Sequence, residues 1–374
     1  MSLSPALKNS ISSVLLAFVG AIFVLKYSAR ILNNTGFPEL CAALYSLAFL
    51  SLRTFIGKLE QNQSAHTADR HYFVAALSCL LIAALLMITL APETNRVTRL
   101  PAIKEWIELL LARKFPWGTQ TQFNPSGLPF LFIVALPFYY AGKLGYLEFV
   151  GIALYCTAVI RIHPCAQTRW LQIVTLLALP TVFFELLVRS DLFFNMLLGL
   201  MGVLLSERYL NTKKPNARFF GLASLFGLAL STRLIVAVLF TAFISYKFRQ
   251  QKLLGLLFSG VVLTIFGVTL LPFILWNCPS FLAEGPFAIQ LSYLPLGSAT
   301  LCTVAAAFAG SKAIDLSDVL FITGVLLFIL VVVAFISAAA NLGFNTAVLR
   351  DGFDISYFIF CTPFLLLSQG QQNQ

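Results

Sequence analysis

The chain is a succession of apolar stretches about one bilayer long, joined by short polar connections, and that pattern decides most of what it can become. A helix that crosses a membrane needs roughly 20 apolar residues. By that rule spans are expected near 11–29, 38–56, 72–91, 126–142, 146–162, 171–188, 191–206, 219–246, 253–276, 318–340 and 354–368, with a partial one at 299–310. In lipid, backbone polar groups must be satisfied within the segment, so each stretch is expected to be helical. Only 11% of the 374 residues are charged, against about 25% in soluble proteins, and the mean hydropathy is +0.87. Soluble enzymes, nucleic-acid binders and disordered tails are excluded. The expected fold class is all-α, a polytopic transmembrane helical bundle of about 10–12 spans.

The net charge of +10 is concentrated in clusters between apolar runs, such as Lys213 to Arg218 and Lys247 to Lys252. Basic clusters beside membrane helices stay cytoplasmic and meet anionic headgroups, so the charge reads as topology rather than as a nucleic-acid partner. The seven cysteines form no C-x-x-C pair, and Cys41, Cys79, Cys156, Cys302 and Cys361 lie in or beside apolar runs as packing residues. The histidines (66, 71 and 163) form no H-E-x-x-H, so neither a metal nor another cofactor is expected. Lys8 precedes the first apolar run as in a signal peptide, but no small-residue cleavage site follows, so 11–29 reads as an anchor helix. No internal repeat is visible.

The interruptions carry more information than the runs. Residues 219–246 are too long for one span and are broken by Ser231-Thr232-Arg233. An Arg at mid-bilayer is costly. Two short helices with Arg233 at the far turn avoid that cost and return both basic clusters to one side. Broken helices persist only where the freed backbone is buried in protein or lines a wet cavity. The connection 92–125 contains an amphipathic helix, with Ile103, Trp106, Ile107, Leu110 and Leu111 on one face and Lys104, Glu105 and Glu108 off it. Such a helix is expected in the membrane interface, a depth that suits Trp106 and Trp117. A second large connection, 277–317, is rich in Pro and Gly. The chain thus divides into two N-terminal helices (1–71), a core with both connections (72–310) and C-terminal helices (311–374).

The order of these parts resembles the GT-C superfamily of integral membrane glycosyltransferases. In that family a helix is followed by a large outer loop with an interfacial helix and then by a Pro-containing approach to the next span. Here those parts are 72–91, 92–125 and Phe123-Asn124-Pro125-Ser126-Gly127-Leu128-Pro129. Glu185-Leu186-Leu187-Val188-Arg189-Ser190-Asp191-Leu192 is similar to an Arg/Asp turn of many members. Gly227-Leu228-Ala229-Leu230-Ser231-Thr232-Arg233 is like their G-L-A-x-x-T-K turn, with Arg replacing Lys, and Pro272-Phe273-x-x-Trp276 with Phe281 and Gly285-Pro286-Phe287 resembles segments of bacterial mannosyltransferase-like members. The resemblance covers roughly residues 72–300 through short, degenerate motifs. It implies transfer of a sugar, a hexose such as mannose, from a polyprenyl-phosphate donor to a lipid, glycan or protein acceptor, in a bacterial plasma membrane.

Such chemistry needs a carboxylate to take the acceptor's proton and cations to stabilise the leaving phosphate, without a metal. Family members place an Asp early in the outer loop. This chain departs from them: no Asp lies between residues 70 and 190, and the earliest acid after the helix is Glu93. Glu93 and Asp191 are the catalytic candidates. Arg189, Arg233, Glu105, Glu108 and Gln290 are the substrate-binding ones, with Tyr293 beside Gln290. For Glu105 and Glu108 a solvated helix face is the plain alternative. For Arg189 and Asp191 it is local pairing or capping, for Arg233 snorkelling, and for Arg350 to Asp354 a simple loop.

Topology strains the resemblance. If 208–218 is cytoplasmic, counting the spans backwards puts 92–125 in the cytoplasm too, whereas the family has that loop outside. Both hold only if one intervening segment, such as 126–142 with Pro129 and Pro137, is re-entrant. A lipid-linked sugar transporter or flippase and a non-catalytic assembly subunit are the rival functions. The sequons at Asn33 and Asn62 fix no compartment.

Overall fold

The computed structural model describes residues 3–32, 36–61, 67–90, 99–119, 121–210, 214–292, 294–350 and 352–369. They form helices joined by turns, with no strand among the described residues. The first three are long: α1 (Pro5–Ile31), α2 (Phe37–Gln61) and α3 (Thr67–Leu90). Next come α4 (Arg99–Leu111), α5 (Pro129–Tyr140) and α6 (Tyr146–Ile162). α7 (Ala166–Leu177) and α8 (Pro180–Val188) meet at a 67° bend, and α9 (Leu192–Tyr209) follows. α10 (Ala217–Leu230) and α11 (Val236–Lys247) are the two halves of the broken stretch, and α12 (Lys252–Trp276) is again long. α13 (Cys278–Glu284), α14 (Pro286–Leu291) and α15 (Ser298–Ser311) build the second connection. α16 (Leu316–Leu342), α17 (Phe344–Leu349), a 3-10 turn (Ile355–Phe360) and α18 (Thr362–Leu367) complete the order.

Among the described residues six helices are long and apolar enough to cross a bilayer, or seven spans if the bent α7–α8 pair counts as one. The protein is a multi-pass membrane protein. Helix starts are set by ordinary caps: the Asn216 side chain accepts from Phe219 N at 2.9 Å, and that of Asp315 from Asp318 N at 2.8 Å. Pro129 and Pro180 open α5 and α8, where a missing N–H costs nothing. One core cluster gathers Trp106, Trp117, Phe132, Phe273 and Phe281, and the largest runs from Leu16 to Leu367. Small residues let backbones approach within it: a Cβ on Gly310 of α15 would lie 2.3 Å from the Ala242 carbonyl of α11.

Polar contacts define two ends. At one, Lys247 pairs with Glu207 at 2.9 Å, Arg249 donates to the Ala313 carbonyl at 3.0 Å, Lys8 pairs with Asp318, and Ser317 donates to the Ser368 carbonyl at 2.8 Å. This is the basic end. At the other, Arg189 donates to the Ile88 carbonyl at 2.7 Å, Arg233 pairs with Asp191, and Arg99 reaches Ser190 at 2.8 Å. This is the loop end, because α4 and the turns around α13 and α14 lie here.

α5 settles the order of crossings. Near its start, Leu128 and Phe130 donate from their amides to the Thr232 and Ser231 carbonyls at 3.1 and 2.9 Å. Just past its end, the turn at Gly145 packs on the Arg189 side chain. Both ends are at the loop end, and 12 residues reach only about 18 Å. The segment 126–142 therefore does not run from one end to the other, and the described loop residues 99–119 and 121–125 lie at the end opposite the described residues of the basic clusters. This corrects the span-by-span count, which placed them together.

The amphipathic helix exists as α4, but its apolar face has a different partner from the one expected. Ile103, Trp106 and Ile107 are buried in protein, while Leu111 is half exposed. Trp106 stacks on Phe132 of α5 at 3.9 Å between ring centroids, and Trp117 closes edge-on at 5.5 Å. Both tryptophans are 1% exposed, so they are core side chains rather than headgroup-level anchors.

Candidate functional site

Helix breaks bring the charged residues of the loop end together. α8 stops because Arg189 turns left-handed, at φ 54°, and Ser190 and Asp191 then lead into α9. α10 stops at Ser231, and the turn 231–235 presents Arg233 to the same place. Arg233 donates through Nε and Nη2 to the two oxygens of Asp191 at 3.0 and 3.2 Å, and Asn195 Nδ2 adds a third bond at 2.6 Å. Arg233 is 5% exposed and Asp191 1%. Isolated charges at such burial would be prohibitive; as a two-point pair with a third donor they are tolerated.

Arg99, at the first turn of α4, forms a second knot beside the first. It pairs with Asp354, donates to Ser190 Oγ at 2.8 Å and Ser356 Oγ at 2.6 Å, lies 3.6 Å from a Glu185 oxygen and covers the Tyr357 ring at 5.2 Å. Burial alone would favour neutral Arg99, but Asp354 and Glu185 outweigh it and hold its pKa above the usual value. One guanidinium thus ties the first turn of α4 to the α8–α9 turn and to the C-terminal 3-10 turn. Glu148, fully buried near the start of α6, lies within electrostatic reach of Glu185 and Asp191.

Arg233 also lines an apolar pocket of about 120 Å³ with Ile235, Leu294, Leu330, Phe353 and Tyr357. A cation at the edge of an apolar pocket is the shape that an acidic lipid fits.

The sequence candidates are distributed as follows. Arg233 and Asp191 are brought together, with the Asp191 oxygens taken up by Arg233 and Asn195. With these bonds Asp191 orients Arg233. Gln290 lines the pocket, but its amide is tied to Leu234 N at 3.1 Å and to the Ser126 carbonyl at 2.6 Å, so it fixes the pocket wall. The two Glu105 oxygens accept from Gln122 N at 2.6 Å and Phe123 N at 2.9 Å, which holds that part of the loop. Glu108 is on the exposed face, 3.9 Å from Lys104, as the solvated alternative has it. Arg189 packs against Gly145 and donates to the Ile88 carbonyl, and it does not line the Arg233 pocket. Glu93 and Tyr293, with the sequons at Asn33 and Asn62, lie outside the described residues.

Arg99 and Glu148 were not foreseen, and Asp354 was read as a plain loop residue. Glu148 could have been found: it is an acid inside an apolar run, which by itself marks a functional candidate. Arg99 and Asp354 give no such signal, since charges in polar connections are ordinary. The fold and site together define a multi-pass helical membrane protein with a buried charge network at one end of the bundle. No family model, curated protein or solved structure matches the chain.

Proposed function

We propose that the chain is a GT-C-like glycosyltransferase that moves a sugar, a hexose such as mannose, from a polyprenyl-phosphate donor to a lipid, glycan or protein acceptor at the outer face of a bacterial plasma membrane. The observation that carries this reading is Arg233: a guanidinium held in place by Asp191 at the edge of an apolar pocket, at the end of the bundle that bears the large loops. The pocket suits the first units of a polyprenyl chain, and the guanidinium suits the phosphate that becomes the leaving group. The positive-inside rule favours a cytoplasmic basic end, which leaves the loop end outside, as the family layout requires.

In this reading Asp191 keeps Arg233 aimed, and Arg99 holds the outer connection down over the site. Glu93, a few residues before Arg99 in that connection, takes the acceptor's proton. The test is transfer from a polyprenyl-phosphate sugar in membranes containing the chain, Glu93→Gln or Arg233→Ala. The reading expects each substitution to lower transfer by about a hundredfold or more, within the range for losing a general base or a charge-stabilising group. Transfer unchanged in both variants removes it. Movement of an intact, non-transferable donor across the membrane would instead favour a flippase.

A further inference from the structure

The loop end holds buried acceptor oxygens that no donor among the described residues bonds. Glu148, in the first turn of α6, and Glu185, in the last turn of α8, are both 0% exposed. None of their four oxygens accepts a hydrogen bond from a described residue. The Phe194 amide is near Glu148 and Ser190 is near Glu185, neither placed as a hydrogen bond. Arg99 stops 3.6 Å from Glu185, beyond hydrogen-bond length. Asn195 adds a fifth such oxygen: its Nδ2 donates to Asp191 at 2.6 Å, while its buried Oδ1 receives nothing.

Close packing gathers these groups. A Cβ on Gly151, three residues beyond Glu148, would lie 3.1 Å from Phe194 Cα, so α6 and α9 touch beside Asn195. Glu148 is within electrostatic reach of Glu185 from α8, Asp191 from the head of α9 and Arg99 from α4. Arg189, packed on Gly145, donates to the Ile88 carbonyl and gives neither Glu148 oxygen a bond. The other neighbours of α6 keep their charges away from Glu148. α5 carries only Tyr139 and Tyr140, and α18 carries no titratable residue. The charges of α3 stand in its first turns, a helix length from Ile88, and Glu207 and Arg208 stand at the far end of α9. Arg169 of α7 bonds the His163 carbonyl, past the far end of α6.

A buried carboxylate without a donor is far more costly than the neutral acid, and two within electrostatic reach disfavour each other's charge. Protonation turns an acceptor into a donor and supplies what these oxygens lack. We infer that Glu148 and Glu185 form a proton-binding site inside the bundle, which holds a proton at neutral pH. No group of three or more His, Cys, Asp or Glu able to hold a metal ion occurs among the described residues, so the donor set favours a proton over a metal. Asp191 and Asp354 are outside the site, since each has a guanidinium partner. The site does not depend on the proposed transfer reaction.

The test uses the full chain in phosphatidylcholine nanodiscs. Infrared spectra at neutral pH should show the carbonyl stretch of a protonated carboxyl, which lies apart from carboxylate absorption. The band should weaken in Glu148→Gln and be lost when Glu185→Gln is added. Melting curves give a second readout. The unfolded chain releases a glutamate proton above about pH 4.3, whereas the folded chain keeps this one, so the parent loses stability as pH rises toward neutral. Gln mimics the neutral acid, so the Glu148→Gln midpoint should fall less over that range and be no lower than the parent's at neutral pH. The parent spectrum alone can decide against the site, should a variant fail to fold. Absence of the band from the parent, a band unchanged in the double variant, or a Glu148→Gln midpoint that falls as steeply as the parent's overturns the inference.

Discussion

Arg233 and Asp191, 42 residues apart in sequence, meet through two hydrogen bonds of 3.0 and 3.2 Å, and both side chains are buried. Each is placed by a helix break, so the pair pins the α8–α9 turn to the α10–α11 turn. Removing one partner leaves the other charged and buried, which costs about 3–5 kcal/mol. Asp191→Ala and Arg233→Ala should each lower the thermal midpoint of the purified protein markedly. The double variant should lose much less than the sum of the two. Additive losses in such a cycle would mean that the pair is not coupled.

Arg99 should behave as a strap. Its bonds to Ser190, Ser356 and Asp354 hold the first turn of α4 against the bundle. A hydrogen bond to a charged group contributes about 1.5–3 kcal/mol, so Arg99→Ala should speed amide exchange in the first turns of α4 before the rest of the bundle loosens. Unchanged exchange there would remove the strap.

Glu105 predicts a local effect. With its oxygens on the Gln122 and Phe123 amides, Glu105→Ala should expose the 119–125 turn to limited proteolysis, while Glu105→Gln, which keeps one acceptor oxygen, should be intermediate. Glu108→Ala, at an exposed pair of the kind that contributes little, is the internal control and should match the parent chain.

His163 supplies a pH dependence. It lies just past the end of α6, is 1% exposed, and burial together with Arg169 lowers its pKa to about 4 from an ordinary 6.5. The unfolded chain thus takes up a proton between these values that the folded chain refuses. The stability due to neutral His163 is full above pH 6.5 and is lost as pH falls toward 4. Melting curves from pH 7 to 4.5 should show a fall that His163→Gln reduces. An equal fall in both would assign the acid sensitivity elsewhere.

What the sequence made legible follows from contrast. A charge in an apolar run is conspicuous, which is why the break at Ser231-Thr232-Arg233 and the turn at Arg189-Ser190-Asp191 stood out, and both are turns between helices. Arg99 and Asp354 occupy connections where charge is unremarkable, and only folding shows that they pair. The apolar stripe of α4 was plain, but a stripe does not say whether lipid or protein covers it; Phe132 and Trp117 answer for Trp106. Pro129 and Pro137 suggested that 126–142 could re-enter, and the bonds of Leu128 and Phe130 to the 231–232 backbone identify the segment that does.

The proposed site and activity both depend on the loop 92–125 lying across the membrane from the basic end. Thr119, beside the α13 carboxylate of Glu284, marks the loop end, and Gln250, between α11 and α12, marks the basic end. Single cysteines placed there in an otherwise cysteine-free chain, probed in sealed cells with a membrane-impermeant maleimide, give the decisive measurement. The account predicts labelling at 119 from outside and labelling at 250 only after the cells are opened. Equal labelling of both from one side, or the reverse pattern, would contradict it.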